Sequence, residues 1–257
     1  MKVTLLGTGT SQGVPVVGCQ CAVCRSDNPK DHRLRTAAFV EVDGQHILLD
    51  AGPDLRMQLL RANITRVDAV LVTHEHKDHL AGLDDIRPIY FMMKEPIHIH
   101  TLPRVLKVIR KDYDYAFRQH PYPGVPSFVL HPVSNEPFRV GDVEITPIHV
   151  RHLTLPILGY RIQDMAYITD GSFIAETELQ KLTGLKLLVI NALRIKEHYS
   201  HFNLQQALAI IERLQPERAV ITHVSHEMGL YEEVRRDLPP NVEIGYDGWC
   251  MEIIKNG

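Results

Sequence analysis

Val67–Gly82, VDAVLVTHEHKDHLAG, decides how the rest of the chain is read. Ala69–Val72 is a short, largely β-branched apolar run of the kind that forms a buried strand. At Thr73 the character changes at once to His74, Glu75, His76, Lys77, Asp78 and His79, and Gly82 then permits a close turn or close packing. Potential metal ligands (His74, His76, Asp78, His79) therefore crowd together where a buried strand runs into a loop. Imidazole and carboxylate suit zinc, manganese or iron, and a strand end gives the rigid support such a site needs. One ion could sit on His74 and His76 and a second on Asp78 and His79, about 3.5–4 Å apart with one water activated between them.

The chain of 257 residues can bury a substantial core as one large domain or two small ones. Its 44% hydrophobic and 23% charged content is that of an ordinary soluble globular protein. No apolar run approaches the length of a bilayer span. The opening MKVTLLGTGTSQG reads as a strand and turn rather than a secretory signal, so a cytoplasmic location is expected. A formal charge of −3 leaves no general cationic surface for long nucleic acid or an anionic membrane. Of the 4 cysteines, Cys19, Cys21 and Cys24 lie too close together for a disulfide framework. Their C-x-C-x2-C spacing can place three thiolates around one tetrahedral zinc, with Cys250 or His226 as the distant fourth ligand.

Further along, Thr36–Val42 and Gln45–Leu49 form an expected hairpin around Asp43-Gly44, and its second strand delivers Asp50. Leu55–Ala62 is helix-like. His98 and His100 share one face of the strand PIHIH and read as structural or pocket residues. Pro103–Phe117 has helical spacing, with Tyr113, Tyr115 and Phe117 near its end, and Pro121–Pro126 breaks it; it suits a pocket wall, a homodimer surface or plain core. His149 and His152 follow a strand, and Asp170-Gly171 follows another, either as a turn or as a strand-end carboxylate. Asn203 is a helix N-cap, which sets His201 just before a helix N-terminus where an anion such as phosphate is favoured. His223 and His226 follow the strand Ala219–Thr222, repeating the design of the central stretch. Val242–Ile254 reads as a terminal hairpin.

The ordering His-x-His-x-Asp-His after an apolar strand resembles the signature of the metallo-β-lactamase superfamily. Together with GTGTSQGVPVVGCQCAVC, the aspartate of YITDGS and THVSH, the resemblance covers nearly the whole chain. It is nearest the PhnP-like cyclic phosphodiesterase branch, close to ribonuclease Z. What it implies is a mixed α/β fold, the αββα sandwich of two mixed β-sheets flanked by helices, as a single domain over residues 1–257 with the site along one edge. Pattern alone gives only mixed α and β.

The resemblance also implies the ligands. His74, His76 and His152 (His149 in reserve) would hold one divalent ion, Asp78, His79 and His223 the other, and Asp170 would bridge, with Asp50 orienting a ligand. Cys19, Cys21, Cys24 and His226 would hold a structural zinc around residues 18–25, leaving Cys250 as a buried thiol. His201 would contact the scissile phosphate and act as general acid, with Asp78 a metal ligand first. The expected activity is hydrolysis of a small phosphodiester, such as a cyclic ribose or nucleotide phosphate, by water activated between two zinc, manganese or iron ions. Ribonuclease Z-like RNA processing lacks a long glycine/proline-rich or basic arm here. Thioester hydrolysis of the glyoxalase II kind leaves His201 and the cysteines unexplained, and a non-catalytic metal-binding protein of a cofactor pathway would not need an open water position. Asn191 stands near where an acidic residue is expected.

Overall fold

The computed structural model describes residues 1–118 and 124–254, so part of the expected Pro121–Pro126 break lies outside the described residues. The chain opens with β1 (Lys2–Gly7), then β2 (Ala37–Val42) and β3 (Gln45–Leu49). Asp43 and Gly44, which join β2 to β3, both take positive φ (48° and 78°), the conformation a two-residue hairpin turn requires. Helix α1 (Leu55–Arg61) leads to β4 (Ala69–Leu71), α2 (Lys77–Leu80), α3 (Arg87–Met93), β5 (Ile97–Thr101), α4 (Pro103–Asp112) and β6 (Phe128–Pro132). All of β4 is buried because it runs parallel between β3 and β5 with both faces covered, which is why it reads as an unbroken apolar run.

The second half supplies β7 (Phe138–Val140), β8 (Val143–His152), β9 (Leu155–Ile162), β10 (Met165–Ile168), β11 (Phe173–Ile174), α5 (Glu176–Gln180) and β12 (Leu187–Asn191). It ends with α6 (Leu204–Leu214), β13 (Arg218–Thr222), α7 (Tyr231–Val234), β14 (Val242–Ile244) and β15 (Cys250–Glu252). The strands form two mixed sheets, β15-β1-β2-β3-β4-β5-β6 and β11-β8-β9-β10-β12-β13-β14, with β7 beside β8. Val40, Ile47 and Leu71 of the first sheet meet Ile145, Tyr160 and Val189 of the second in one core between them. Outside, Leu55, Ile89 and Val105 pack helices on the first sheet, and Leu179, Ile211 and Val234 pack helices on the second. This is the expected αββα layering. Among the described residues no helix is long and apolar enough to cross a membrane.

Two expectations fail at the C-terminal end. Val242–Ile254 is not a hairpin: β14 runs parallel to β13, whereas β15 pairs antiparallel with β1 in the other sheet. The chain is drawn across by Asp247, whose carboxylate accepts from Thr8 N and Oγ1 (both 2.9 Å) and from Leu34 N (2.8 Å). Gly248 (φ 93°) then turns the backbone so that its amide donates to Leu5 O. Cys250 is not a buried thiol either. It lies on the edge strand, pointing away from the inter-sheet core, and is exposed beside Thr4.

Candidate metal centre

The candidate ligands all stand where strands end at one rim of the sandwich: His74 and His76 after β4, Asp78 and His79 in α2, His152 ending β8, Asp170 after β10 and His223 after β13. A fully buried threonine precedes three of them, Thr73, Thr169 and Thr222. Asp170 and His223 take positive φ (57° and 56°), as does Asp50 (63°), so these strands turn aside abruptly at the rim. The loop after β4 is stapled to the one after β3 by Ala51 N to His79 O and Gly82 N to Ala51 O, both 2.8 Å. Two glycines make that approach possible. A Cβ on Gly82 would lie 1.9 Å from Gly52 O, and one on Gly52 would lie 2.1 Å from Asp78 O.

The side chains converge as two groups. The rings of His74, His76 and His152 lie 4.5 to 5.7 Å apart, centroid to centroid. Ligand atoms of Asp78, His79, Asp170 and His223 all fall within 4.8 Å of one another. Asp170 Oδ2 is 3.1 Å from His79 Nε2, and Oδ1 is 3.2 Å from His223 Nε2 and 3.1 Å from His201 Nε2. A ligand atom of Asp170 also lies within 4.8 Å of those of His152 and His201, which links the two groups. His201 also stands edge-on to His152 (4.6 Å) and stacks on His223 (5.1 Å). His149 is not brought in; it sits on the opposite face of β8, where its amide donates to Glu178. His98 and His100 are also elsewhere, packed with His131.

These residues fit divalent metal ions. Each of four histidines has Nδ1 tied from behind: His79 to Asp50 Oδ2 (2.8 Å), His152 to the carbonyls of Asp170 and Ser200 (2.9 and 2.8 Å), His74 to Thr73 Oγ1 and His223 to Thr36 Oγ1. Nε2 is left facing the cluster, the arrangement by which outer partners orient metal-binding imidazoles. His74 Nε2 is buried with no hydrogen-bond partner among the described residues, whereas His79 Nε2 meets the carboxylates of Asp78 and Asp170, each at 3.1 Å. A buried nitrogen without a partner calls for an explanation, and an ion facing His74 supplies one.

The protonation preferences agree. Burial, helped by His79, pushes His74 far below its ordinary range and so toward the neutral, ligating form. Burial likewise pushes His223 down to about 4. Burial opposes the charge on Asp170, but His223, His79 and His201 outweigh it and keep that carboxyl ionised well below its usual range. His79 is drawn the other way. Burial disfavours its charge, yet Asp170, Asp78 and Asp50 around it raise its affinity for a proton, a demand for positive charge at that spot.

Cys19, Cys21, Cys24 and His226 form a second group, with Cys19 Sγ and Cys21 Sγ each 3.3 Å from His226 Nδ1. The Cys24 amide and His226 pull the Cys21 thiol down to about 6, whereas burial pushes Cys24 up to about 11.

Other partners went unread in the sequence. Asn191, fully buried, accepts from Gly171 N (2.7 Å) and donates to Gly171 O (3.0 Å), reading both backbone polar groups of the residue after Asp170. An acidic residue could not make the second bond. Glu75, between His74 and His76, is gripped by Arg104 of α4 through two 3.0 Å bonds. The recurring threonine before a ligand was the available signal: Thr73 Oγ1 bonds Asp50, and Thr169 Oγ1 bonds Asp170 Oδ2 (2.6 Å).

A family model described as β-lactamase superfamily domain matches residues 45–224. The chain is 36% identical to the protein in a crystal structure of a diphosphatase from the PhnP family, with 98% of each chain covered and a TM-score of 0.92. Zinc-bound PqqB from Methylobacterium extorquens has the same fold, with a TM-score of 0.80 at 20% identity over 98% of this chain and 100% of that one. An octanoyltransferase of Porphyromonas gingivalis (strain ATCC BAA-308 / W83) is 45% identical over 251 residues, which cover 96% of this chain and 51% of that protein. The chain thus spans about half the length of that curated relative.

Proposed function

This chain belongs to the β-lactamase superfamily, on its PhnP-like branch, and from that premise we propose that it is a phosphodiesterase acting on a small phosphodiester or diphosphate diester. Two divalent ions held by His74, His76 and His152 and by Asp78, His79 and His223, with Asp170 shared, would supply Lewis acidity and a nucleophilic water at neutral pH. Zinc, manganese and iron all suit that donor set. Zinc suits the Cys19, Cys21, Cys24 and His226 group, which has the four donors of a closed structural site.

The observation that carries the reading is His201. It is poised beside Asp170 and between His152 and His223, with its ligand atom within 4.8 Å of those of Asp170 and His152. Neither proposed ion, each with three other ligands and the shared Asp170, draws on it. An imidazole at that position can face a phosphoryl oxygen and hand its Nε2 proton to the leaving oxygen as the P–O bond breaks, after which solvent restores the proton. Ser200 Oγ, 3.0 Å from His201 Nδ1, fixes the ring from behind. The likeness to a diphosphatase supports a phosphorus centre as the target. The match to half of an octanoyltransferase gives a second reading, an association with octanoyl transfer.

The test is turnover of bis-(p-nitrophenyl) phosphate, a 2′,3′-cyclic nucleotide, a diphosphate-linked dinucleotide, a precursor tRNA and a glutathione thioester, each with zinc or manganese. Diester or diphosphate cleavage that falls about 10²–10⁴-fold in His201→Ala, with metal content unchanged, supports the proposal. Thioester cleavage indifferent to His201 refutes it.

A further inference from the structure

Beyond the ligands, a line of rings runs outward from the centre. His223 stacks on His201, His201 lies 5.3 Å from His198, and His198 stacks against Tyr199 at 4.4 Å and 28°. Tyr199 ends the line and is 75% exposed, so most of a large aromatic ring stays in water, two ring contacts from the proposed general acid. The loop presenting it is braced. Arg194 donates to the carbonyls of Lys196 (3.3 Å) and Glu197 (2.9 Å), and its other nitrogen pairs with Glu227 (2.5 Å), the neighbour of His226. His198 is held in turn by Ser200, whose amide and hydroxyl lie 3.3 and 3.2 Å from Nδ1. A braced loop that offers an aromatic face to solvent beside a reacting centre has the makings of a stacking platform, since base–aromatic stacking needs a flat, pre-positioned ring and no particular hydrogen-bond pattern.

We propose that Tyr199, backed by His198, is a stacking subsite for a planar heteroaromatic group of the substrate, namely a nucleobase carried on the sugar of the scissile phosphodiester. The inference rests on the phosphodiesterase reading and narrows it to nucleotides. Tyr199 acts on substrate binding and leaves the bond-breaking step to the groups around Asp170.

The test compares 2′,3′-cyclic AMP with the 2,3-cyclic phosphate of methyl riboside, which keeps the scissile bond and lacks the base, on metal-loaded wild type, Tyr199→Ala and Tyr199→Phe. Wild type should prefer the base-bearing substrate by about tenfold or more in kcat/KM. Tyr199→Ala should erase that preference through KM at nearly constant kcat, Tyr199→Phe should keep it, and turnover of the abasic substrate should not change. Equal use of both substrates by wild type, or an equal loss on both in Tyr199→Ala, would overturn the subsite. Should neither substrate turn over, the wider panel above decides the phosphodiesterase reading separately. Calorimetric binding of 5′-AMP to the same proteins then decides the subsite: binding about tenfold weaker in Tyr199→Ala supports it, and equal binding or none in wild type overturns it.

Discussion

Gly82→Ala isolates the role of loop docking in building the centre. Gly82 has φ −94° and ψ 6°, a conformation open to other residues, so alanine adds no backbone strain there. Sterics is the issue. The new Cβ would lie 1.9 Å from Gly52 O and 2.9 Å from Leu55 Cβ, and restoring ordinary contact requires the two loops to part by roughly 1.5 Å. Asp78 and His79 ride on the moving loop, while His223 and Asp170 stay with the other sheet. Metal–ligand distances tolerate about 0.2 Å, so the ion on Asp78, His79 and His223 should be lost while the Cys19 group keeps its own. Activity should fall about 10²-fold or more, and stability by about 1–3 kcal/mol. Metal analysis after dialysis, urea unfolding and turnover measure these. Gly184→Ala is the control: its Cβ meets nothing within 4 Å but φ is 70°, so it should cost about 1 kcal/mol of strain and leave metal content alone. A Gly82→Ala protein with its full metal complement and wild-type turnover would refute the argument.

Asn191→Asp should lower kcat about 10–100-fold, because it sets a carboxylate oxygen against Gly171 O at 3.0 Å and disturbs Asp170; steady-state kinetics alongside metal analysis checks this. Cys24→Ser should remove one zinc equivalent and lower the melting temperature while the other ions remain, measured by metal analysis and calorimetry. Asn203→Ala should cost about 1 kcal/mol in urea unfolding, since Asn203 and Gln206 cap α6 reciprocally at 2.9 and 3.0 Å. Burial pushes the Asp68 carboxyl up, but bonds from Arg66 and from the amide and ring of His46 outweigh it, so its folded pKa is depressed. That contribution is present above the unfolded carboxylate value, near 3.9, and lost as pH falls through the folded one; acid titration of Asp68→Asn should show a shallower loss of stability below about pH 4.

What could be read from the sequence was local. THEHKDH, the YITDGS aspartate and THVSH each place a ligand directly after a strand, so one strand end fixes the side chain and its neighbours name the chemistry. The hairpin at Asp43-Gly44 was legible for the same reason. Partner choice was not. Alternation says that 242–254 extends but not which edge it joins, and the crossing depends on Asp247 finding Thr8 and Leu34, far away in the chain. Cys250 looked buried because an apolar thiol usually is, whereas an edge strand leaves one side open. Asn191 resisted reading because its partner is a peptide group, which leaves no trace in residue type.

The pairing of β15 with β1 has a consequence for how the protein is made. β1 is flanked on one side by a strand translated more than 240 residues later, Thr4 lying opposite Cys250. Until then one side of β1 offers unpaired amides and carbonyls to any other extended chain. Long-range closures of this kind are slow, so the nascent chain carries a sticky edge until β15 has been made. Shielding by a chaperone should matter most during that interval, and truncations that remove Cys250–Glu252 should aggregate through β1 even where the rest of the sandwich can assemble.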